Sequence, residues 1–483
     1  MDERTMSQCE VRITAEAYAT LHAHLFPGDG DEHGAVMYAG LLQTQAGPVL
    51  TVREVVLAEE GKDWVPGTRG YRKMLATFVA RQARRCRDEK LVYIAVHNHG
   101  PGDRVSFSDV DLETHERGFP ALLDLVQGMP VGSLVFAERA VAGDIWMPGG
   151  KRLTVSRMIV VGPQRIELLP APRIADQVQQ QLYDRQVRIF GERGQAVLSR
   201  SRVAIIGLGG VGSLLAELLG RLGVGSFVLV DPDRVAISNV PRLVDATGLD
   251  AMSWLTAEGR PEWLRRIGLS LATRKVDLST RVIRRANRQA KIERHFTPME
   301  TREVVEALKT CDYVFLAADG HRARLLFNSI VHQYLIPGVQ LGSRIQVETN
   351  TGKVDNVHTA SRLVTPSGGC LVCNQAIDPR KLNEECKPDT MRQRERYLDE
   401  SDAPAPSVIT LNSVSASQAA NDFLFYMTGL TDENAFQGTV QGRPMDRRIR
   451  FIAPRRDDGC TECGRGPESR FARGQYWAIP LID

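Results

Sequence analysis

The chain has no excess of either charge: 61 lysines and arginines stand against 58 aspartates and glutamates, a formal net charge of +3 in 483 residues. So close a balance leaves no electrostatic footprint for a nucleic-acid partner, and basic pairs such as Arg84-Arg85 and Arg284-Arg285 read as solvated helix faces. A long uninterrupted apolar run is also missing. The longest, starting at Val203, is broken by glycines and by Glu217, so it reads as a strand and a helix and not as a membrane span. The first ten residues, Met1 to Glu10, are polar and lack the apolar core of a secretion signal. No internal repeat is evident. Cysteine is scarce, eight in all, and four of them form two CxxC pairs. The expectation is a cytoplasmic protein with no membrane and no nucleic acid among its partners, in which paired thiols serve a metal and not a disulfide framework.

What is present fits a folded chain, with 43% hydrophobic and 25% charged residues. The length exceeds what one hydrophobic core usually organises, so two domains are expected. Short β-like runs occur at Ala35–Tyr38, Thr51–Leu57, Leu91–Val96, Gly132–Phe136 and Met158–Val161, and helical periodicity is clearest over Tyr71–Arg85. The prolines of Leu169-Pro170-Ala171-Pro172-Arg173 then interrupt regular structure. This sets the expected organisation: an α/β domain over 1–168, a linker over 169–174, and a second domain over 175–483. In the second, Arg202–Ile206 is a buried strand, Ser270–Ala290 is helical, and Tyr313–Ala317 is a further strand, which together predict a mostly parallel, Rossmann-like sheet with helices on both faces.

Directly after the strand at Val203 comes Gly207-Leu208-Gly209-Gly210-Val211-Gly212. Glycine is needed where the backbone turns sharply and a phosphate must approach, and the helix opening there points unpaired N–H groups at an anion. Gly207, Gly209, Gly210 and Gly212 are therefore nucleotide-binding candidates. The next strand ends at Asp231-Pro232-Asp233, where a carboxylate can accept ribose hydroxyls. The run Ser238-Asn239-Val240-Pro241-Arg242, a few residues later, is not required by a dinucleotide site.

Together with Tyr183-Asp184-Arg185-Gln186 upstream, and Lys275, Asn287 and Asp319 downstream, these motifs resemble the ubiquitin-activating (E1-like) adenylyltransferases, including the ThiF- and MoeB-type bacterial enzymes of thiamine and molybdopterin synthesis. The resemblance covers about 175–430. It implies ATP and Mg²⁺ as cofactors and a homodimer in which Arg185 reaches the triphosphate of the neighbouring protomer. It further implies that Asp231 holds the ribose, that Arg242, Lys275 and Asn239 meet the phosphates, that Asp319 places Mg²⁺, and that Asp233 is a further cofactor-binding residue. The cations suit the task by type, since a carboxylate and a triphosphate must be brought together, and magnesium favours carboxylate and phosphate oxygens.

Cys370, Cys373, Cys460 and Cys463 can form one Cys₄ structural zinc site, a pairing that the E1-like resemblance also implies; two reactive dithiols are the alternative. Cys386 stands alone in a polar segment, as a thioester-forming residue or an incidental thiol.

In the N-terminal domain, Leu91–Val96 runs into His97-Asn98-His99, whose i, i+2 spacing turns both imidazoles to one side of an extended backbone. Two histidines and a carboxylate make a catalytic zinc site with one position open for water. With Ser108-Asp109-Val110-Asp111-Leu112 downstream, the cluster resembles the JAB/MPN (JAMM) metalloproteases, including deubiquitinases, although the interval is about one residue too long and the proline usual after HxH is displaced. The resemblance implies Asp111 as third ligand, with Asp109 as the alternative, Glu32 as the base that activates zinc-bound water, and Ser108 as an oxyanion donor. The two resemblances together imply adenylation of the terminal glycine of a ubiquitin-like protein, coupled to zinc-dependent processing or deconjugation, with an E2-like protein downstream in a bacterial and even antiviral conjugation pathway. Activation of a sulfur carrier for cofactor synthesis, and a dimeric scaffold with degenerate sites, are the rivals.

Overall fold

The computed structural model describes residues 8–65, 73–173, 180–348, 351, 353–387, 406–432 and 438–481. Contacts divide the chain into two units: Met1–Ala175 with His332–Leu335 and Cys463–Ala478, and Asp176–Val331 with Ile336–Glu462 and Ile479–Asp483. The end of the expected linker, residue 174, lies outside the described residues.

The first unit is built on β1 (Gln8–Thr14), α1 (Ala15–Leu25), β2 (Gly34–Leu42), β3 (Val49–Leu57), α2 (Ala76–Glu89), β4 (Val92–Gly100), α3 (Asp109–Val126), β5 (Val131–Ala137), β6 (Ala140–Trp146), β7 (Arg152–Val161) and β8 (Arg165–Leu168). Its sheet runs β1-β3-β2-β4-β5-β6-β7-β8 and closes on itself, because β1 also pairs in parallel with β7. Closure buries Val11 and Ile13 on β1 among Val155, Met158 and Val160 on β7. The helix expected over Tyr71–Arg85 starts at Ala76 and reaches Glu89, where Lys90 takes a left-handed conformation and ends it. β1, β6 and β8 join the strands expected from the sequence. The segment Cys463–Ala478 counts with this unit: the buried Arg53 guanidinium donates to the carbonyls of Gly466 and Phe471, and Thr51 Oγ1 donates to Ala472 O at 3.0 Å.

The second unit has α4 (Gln180–Arg200), β9 (Arg202–Ile206), α5 (Gly210–Leu222), β10 (Ser226–Val230), α6 (Ser253–Thr256), α7 (Glu262–Leu271), α8 (Lys275–Ala286), β11 (Lys291–His295), α9 (Arg302–Leu308), β12 (Tyr313–Leu316), α10 (His321–Tyr334), β13 (Gly338–Val347), β14 (Val354–Val364), α11 (Pro379–Cys386), α12 (Ile409–Thr428), β15 (Thr439–Arg443) and β16 (Arg448–Ile452). Sheet order is β11-β10-β9-β12-β13-β14-β15-β16. The first five in that order are parallel and the last three antiparallel, so the sheet is less uniformly parallel than the motifs predict. Strand order reverses between β9 and β12, which opens a crevice at their carboxyl ends, the usual ligand position in such sheets. The single helix expected over Ser270–Ala290 is two, α7 and α8, separated at Ala272–Arg274. Among the described residues no helix is long and apolar enough to cross a membrane.

Candidate functional site

In the second unit, a pocket of about 510 Å³ occupies the crevice. The backbone reaches it through a turn that only glycine fits: Gly207 has φ +84°, and a Cβ there would lie 2.8 Å from Ala318 N. α5 then begins with its first turn at the pocket wall, formed by Gly209, Gly210 and Val211, the arrangement that presents N–H groups to an anion.

Asp231 closes β10 and is only 4% exposed. Its Oδ2 accepts from Leu208 N at 2.7 Å and its Oδ1 from Asp233 N at 2.8 Å, so it braces the glycine turn while facing the pocket. Burial pushes its carboxyl up, opposed by Lys275 and these two N–H donors. Lys275, the first residue of α8, donates to Asp233 Oδ2 at 2.6 Å and lies 3.7 Å from Asp231. Arg242 lines the same pocket with its Nε buried and, among the described residues, bonded to nothing. A buried guanidinium nitrogen without an acceptor is costly unless an anion completes it, so Arg242 and Lys275 fit the phosphates of ATP. Asp233 and Asp319, both on the pocket wall, offer the carboxylate oxygens that fit Mg²⁺.

Three further expected residues lie away from this pocket wall. Asn239 is not on the pocket wall: its Oδ1 accepts from Ala236 N at 3.1 Å and caps the turn Ile237–Asn239. Arg185 is exposed on α4, in a shallow depression with Tyr183 and Arg221, and does not line its own chain's pocket. Cys386 is exposed at the end of α11. Its neighbour Glu385 accepts from His321 N at 2.9 Å and Arg322 N at 2.8 Å, so this carboxylate caps the helix that starts two residues after Asp319. Ser343 and Asn412, unremarked in the sequence, also line the pocket.

The ligand atoms of Cys370, Cys373, Cys460 and Cys463 all lie within 4.8 Å of one another. Cys370 Sγ accepts from Cys373 N at 3.3 Å and Cys460 Sγ from Glu462 N at 3.4 Å. Four sulfurs at one point with N–H groups turned toward them fit a tetrahedral zinc site.

In the first unit, β4 ends with His97 and His99 on one side, their Nε2 atoms 3.2 Å apart. Asp111 Oδ1 lies 3.4 Å from His97 Nε2, and its Oδ2 lies 3.2 Å from His99 Nε2. The third candidate ligand is therefore Asp111, and Asp109 is outside the group. Helix phase decides this: Ser108 caps α3, and its capping box turns Asp111, at the third helical position, back toward β4. Asp111 Oδ2 accepts from Ser108 N and Oγ at 2.8 and 2.7 Å, so the Ser108 hydroxyl is engaged with the candidate ligand. Burial would raise the Asp111 carboxyl, but hydrogen bonds from His97, His99 and Ser108 outweigh it and hold the group well below the usual carboxylate range. The hydrogen bond to Asp111 in turn raises His99. Two imidazoles and a carboxylate converging in this way fit a zinc ion with an open position.

Asn98, between the histidines and on the opposite side of the strand, accepts from His33 N at 2.6 Å and so fastens the residue next to Glu32. Glu32, His97 and Asp111 line one cleft of about 660 Å³, with walls that include Trp64, Met74, Val79, Phe119 and Leu122. His115, one helical turn beyond Asp111, lies in the same cleft; burial pushes its imidazole down to about 4, so it is neutral near pH 7.

Comparison with known proteins adds a lineage to this geometry. A region of the tRNA threonylcarbamoyladenosine dehydratase of Bacillus subtilis (strain 168) is 47% identical over 64 residues, covering 13% of this chain and 25% of that protein. The ubiquitin-like modifier-activating enzyme 5 of Drosophila willistoni is 25% identical over 195 residues, 38% of this chain and 42% of the other. The adenylyltransferase and sulfurtransferase MOCS3 of Caenorhabditis briggsae is 24% identical over 289 residues, 59% and 60% of the two chains. The chain thus spans between a quarter and three fifths of these relatives. A crystal structure of Escherichia coli MccB with MccA-N7isoASN superposes with a TM-score of 0.44 at 16% identity, over 61% of this chain and 77% of that one. Residues 183–462, more than half of the sequence, match the description "ThiF family", and the chain belongs to that family.

Proposed function

We propose that the second unit is an E1-like adenylyltransferase that uses ATP to activate the C-terminal glycine carboxylate of a ubiquitin-like protein. The observation that carries the reading is one pocket bounded by a glycine turn and helix N-terminus, two cations, Arg242 and Lys275, and three carboxylates, Asp231, Asp233 and Asp319. In the reaction a carboxylate oxygen of the acceptor bonds to the α-phosphorus while the bond to the β-phosphate bridging oxygen breaks, releasing pyrophosphate. Arg242 and Lys275 gather negative charge on the phosphates as it redistributes. Asp231 would receive the ribose hydroxyls, and Asp233 and Asp319 would hold Mg²⁺, which supplies charge neutralisation to the phosphates when bound. Arg185, outside its own pocket, serves the pocket of a second copy in a homodimer.

The first unit, on this proposal, is a JAMM-type domain that trims or deconjugates the same class of substrate. His97, His99 and Asp111 would hold zinc, which acidifies a bound water. Glu32, in the same cleft, would be the group that accepts a proton from the attacking water and returns it to the leaving amine. Ser108, whose hydroxyl donates to Asp111 in the free protein, would turn to the developing oxyanion. Removing a tail with this unit exposes the glycine that the other adenylates, and one polypeptide carrying both raises the local concentration of the intermediate.

The test of the activating half is exchange of labelled pyrophosphate into ATP with Mg²⁺ and a panel of ubiquitin-like proteins ending in glycine; no exchange with any of them sinks it. The relatives of this chain include both a modifier-activating enzyme and a sulfurtransferase, so sulfur-carrier activation is the second reading. A thiol-sensitive carrier adduct at Cys386, passed to an E2-like protein, marks conjugation; a carrier thiocarboxylate marks sulfur transfer.

A further inference from the structure

The turn Gly207-Leu208-Gly209-Gly210-Val211-Gly212 has one glycine more than a GxGxxG fingerprint requires. Its neighbour accounts for it: any Cβ on Gly210 would collide with Nδ2 of Asn412. Asn412 lies in the first turn of α12, is 1% exposed, and forms part of the wall of the nucleotide pocket. Ser343 Oγ donates to Asn412 Oδ1 at 2.8 Å, and Asn412 Nδ2 donates to Ser407 Oγ at 3.1 Å. These two serines fix the plane of the amide.

A primary amide has two N–H donors. Ser407 takes one, and among the described residues nothing accepts the other, although the group is withdrawn from water. An unsatisfied buried donor is expensive. This one lies against Gly210 at the start of α5, where the backbone is arranged for an anion.

We propose that Asn412 is a ligand of the nucleotide phosphates, its second N–H donating to an oxygen of the phosphate chain. It adds a neutral, rigidly held donor to the cations Arg242 and Lys275, on the wall of a pocket that Asn239 does not line. Preorganised donors of this kind require no rearrangement when charge moves along the phosphates. The inference rests on the reading of this pocket as an ATP site and extends it to a residue about 200 positions from the glycine turn.

The test uses the full chain and two variants. Asn412→Asp keeps the size and the acceptor for Ser343 but removes both N–H donors, and Asn412→Ala removes the donors without adding charge. Affinities for ATP and for adenosine are measured by calorimetry or competition, with the melting temperature of the ligand-free protein alongside. Loss of a hydrogen bond to a charged group predicts ATP binding weakened about 10- to 100-fold, with the aspartate variant the worse of the two. Adenosine, which has no phosphate, should bind both variants as it binds the parent. Unchanged ATP affinity in either variant overturns the proposal, as does an equal loss for adenosine and ATP, which would make the amide a prop for the turn. If the aspartate variant does not fold, the alanine variant decides by the same comparison. A parent chain that binds adenosine and ATP equally poorly would sink the ATP reading itself, before any variant is compared.

Discussion

β4 in the first unit and β9 in the second each run into a candidate site at their carboxyl ends, and they deliver different things there. β4 delivers side chains: alternation puts His97 and His99 on one side and sends Asn98 to the other to fasten His33. β9 delivers bare backbone, since Gly207 turns where no side chain would fit and α5 begins with its N–H groups at the pocket. A site of the first kind is specified by which residues are present. The second is specified by which side chains are absent, and its charged groups come from elsewhere: Asp231, Asp233 and Arg242 from the segment after β10, Lys275 from α8 and Asp319 from the loop after β12.

If the two sites work separately, single changes should silence one and spare the other. The largest effect is expected from Lys275→Ala, which removes a cation from the phosphates: pyrophosphate exchange should fall at least about 100-fold, while trimming of a tailed ubiquitin-like precursor continues. The mirror image is His97→Ala with His99→Ala. Zinc measured by plasma emission should drop by one equivalent and precursor trimming should cease, with exchange on a pre-trimmed carrier intact. Loss of both activities in either variant would break the comparison and make the chain one coupled catalyst.

Cys460→Ser with Cys463→Ser sharpens the contrast between a closed thiolate site and an open histidine site. It should also remove one zinc, but here the cost is in folding, seen as a melting temperature lowered by several degrees, because thiolate binding is coupled to the fold. A variant that melts like the parent would leave the four sulfurs without a structural role. Smaller still is Gly210→Ala, whose methyl group must displace the Asn412 amide; overpacking of this kind costs about 1–3 kcal/mol, measurable by urea unfolding, and should weaken ATP binding.

A further effect, on stability alone, concerns Glu10, which lines neither pocket. Burial would raise the Glu10 carboxyl from its ordinary 4.5, but Arg12 and Arg157 hold it at about 2. Its contribution to stability is present above about pH 4.5 and is lost as pH falls toward 2. Glu10→Gln should therefore be less stable than the parent at neutral pH, and the gap should close on acidification through that window; a constant gap would mean that packing, and not charge, is what Glu10 supplies.

Much of this was legible in the sequence because the chemistry leaves compact marks. The glycine turn, Asp231, Arg242, Lys275 and Asp319 are brought together as their order implies, and the four cysteines meet. What was not legible depends on geometry between distant segments. Nothing local makes β1 pair with both β3 and β7, so the closure of the first sheet is invisible in a seven-residue strand. The choice between Asp109 and Asp111 turned on the phase of a helix whose start is set by Ser108. Asn239 is expected at the phosphates, and it lies off the pocket wall, where its carbonyl oxygen caps a three-residue turn. The signal that could have found Asn412 was there, in the additional glycine, but reading it needed the helix that packs on the turn.

The assignment of Cys463–Ala478 to the first unit has a practical consequence for dissecting the gene. A fragment stopped near residue 175, where the prolines invite a cut, would keep Arg53 and Thr51 but lose the carbonyls of Gly466, Phe471 and Ala472 that they hold. A buried guanidinium would then face missing acceptors, and poor expression of such a fragment would say nothing about whether its histidines bind zinc. Supplying residues 463–478 as a separate synthetic peptide, or splicing them back through a flexible tether, is the remedy the fold itself points to.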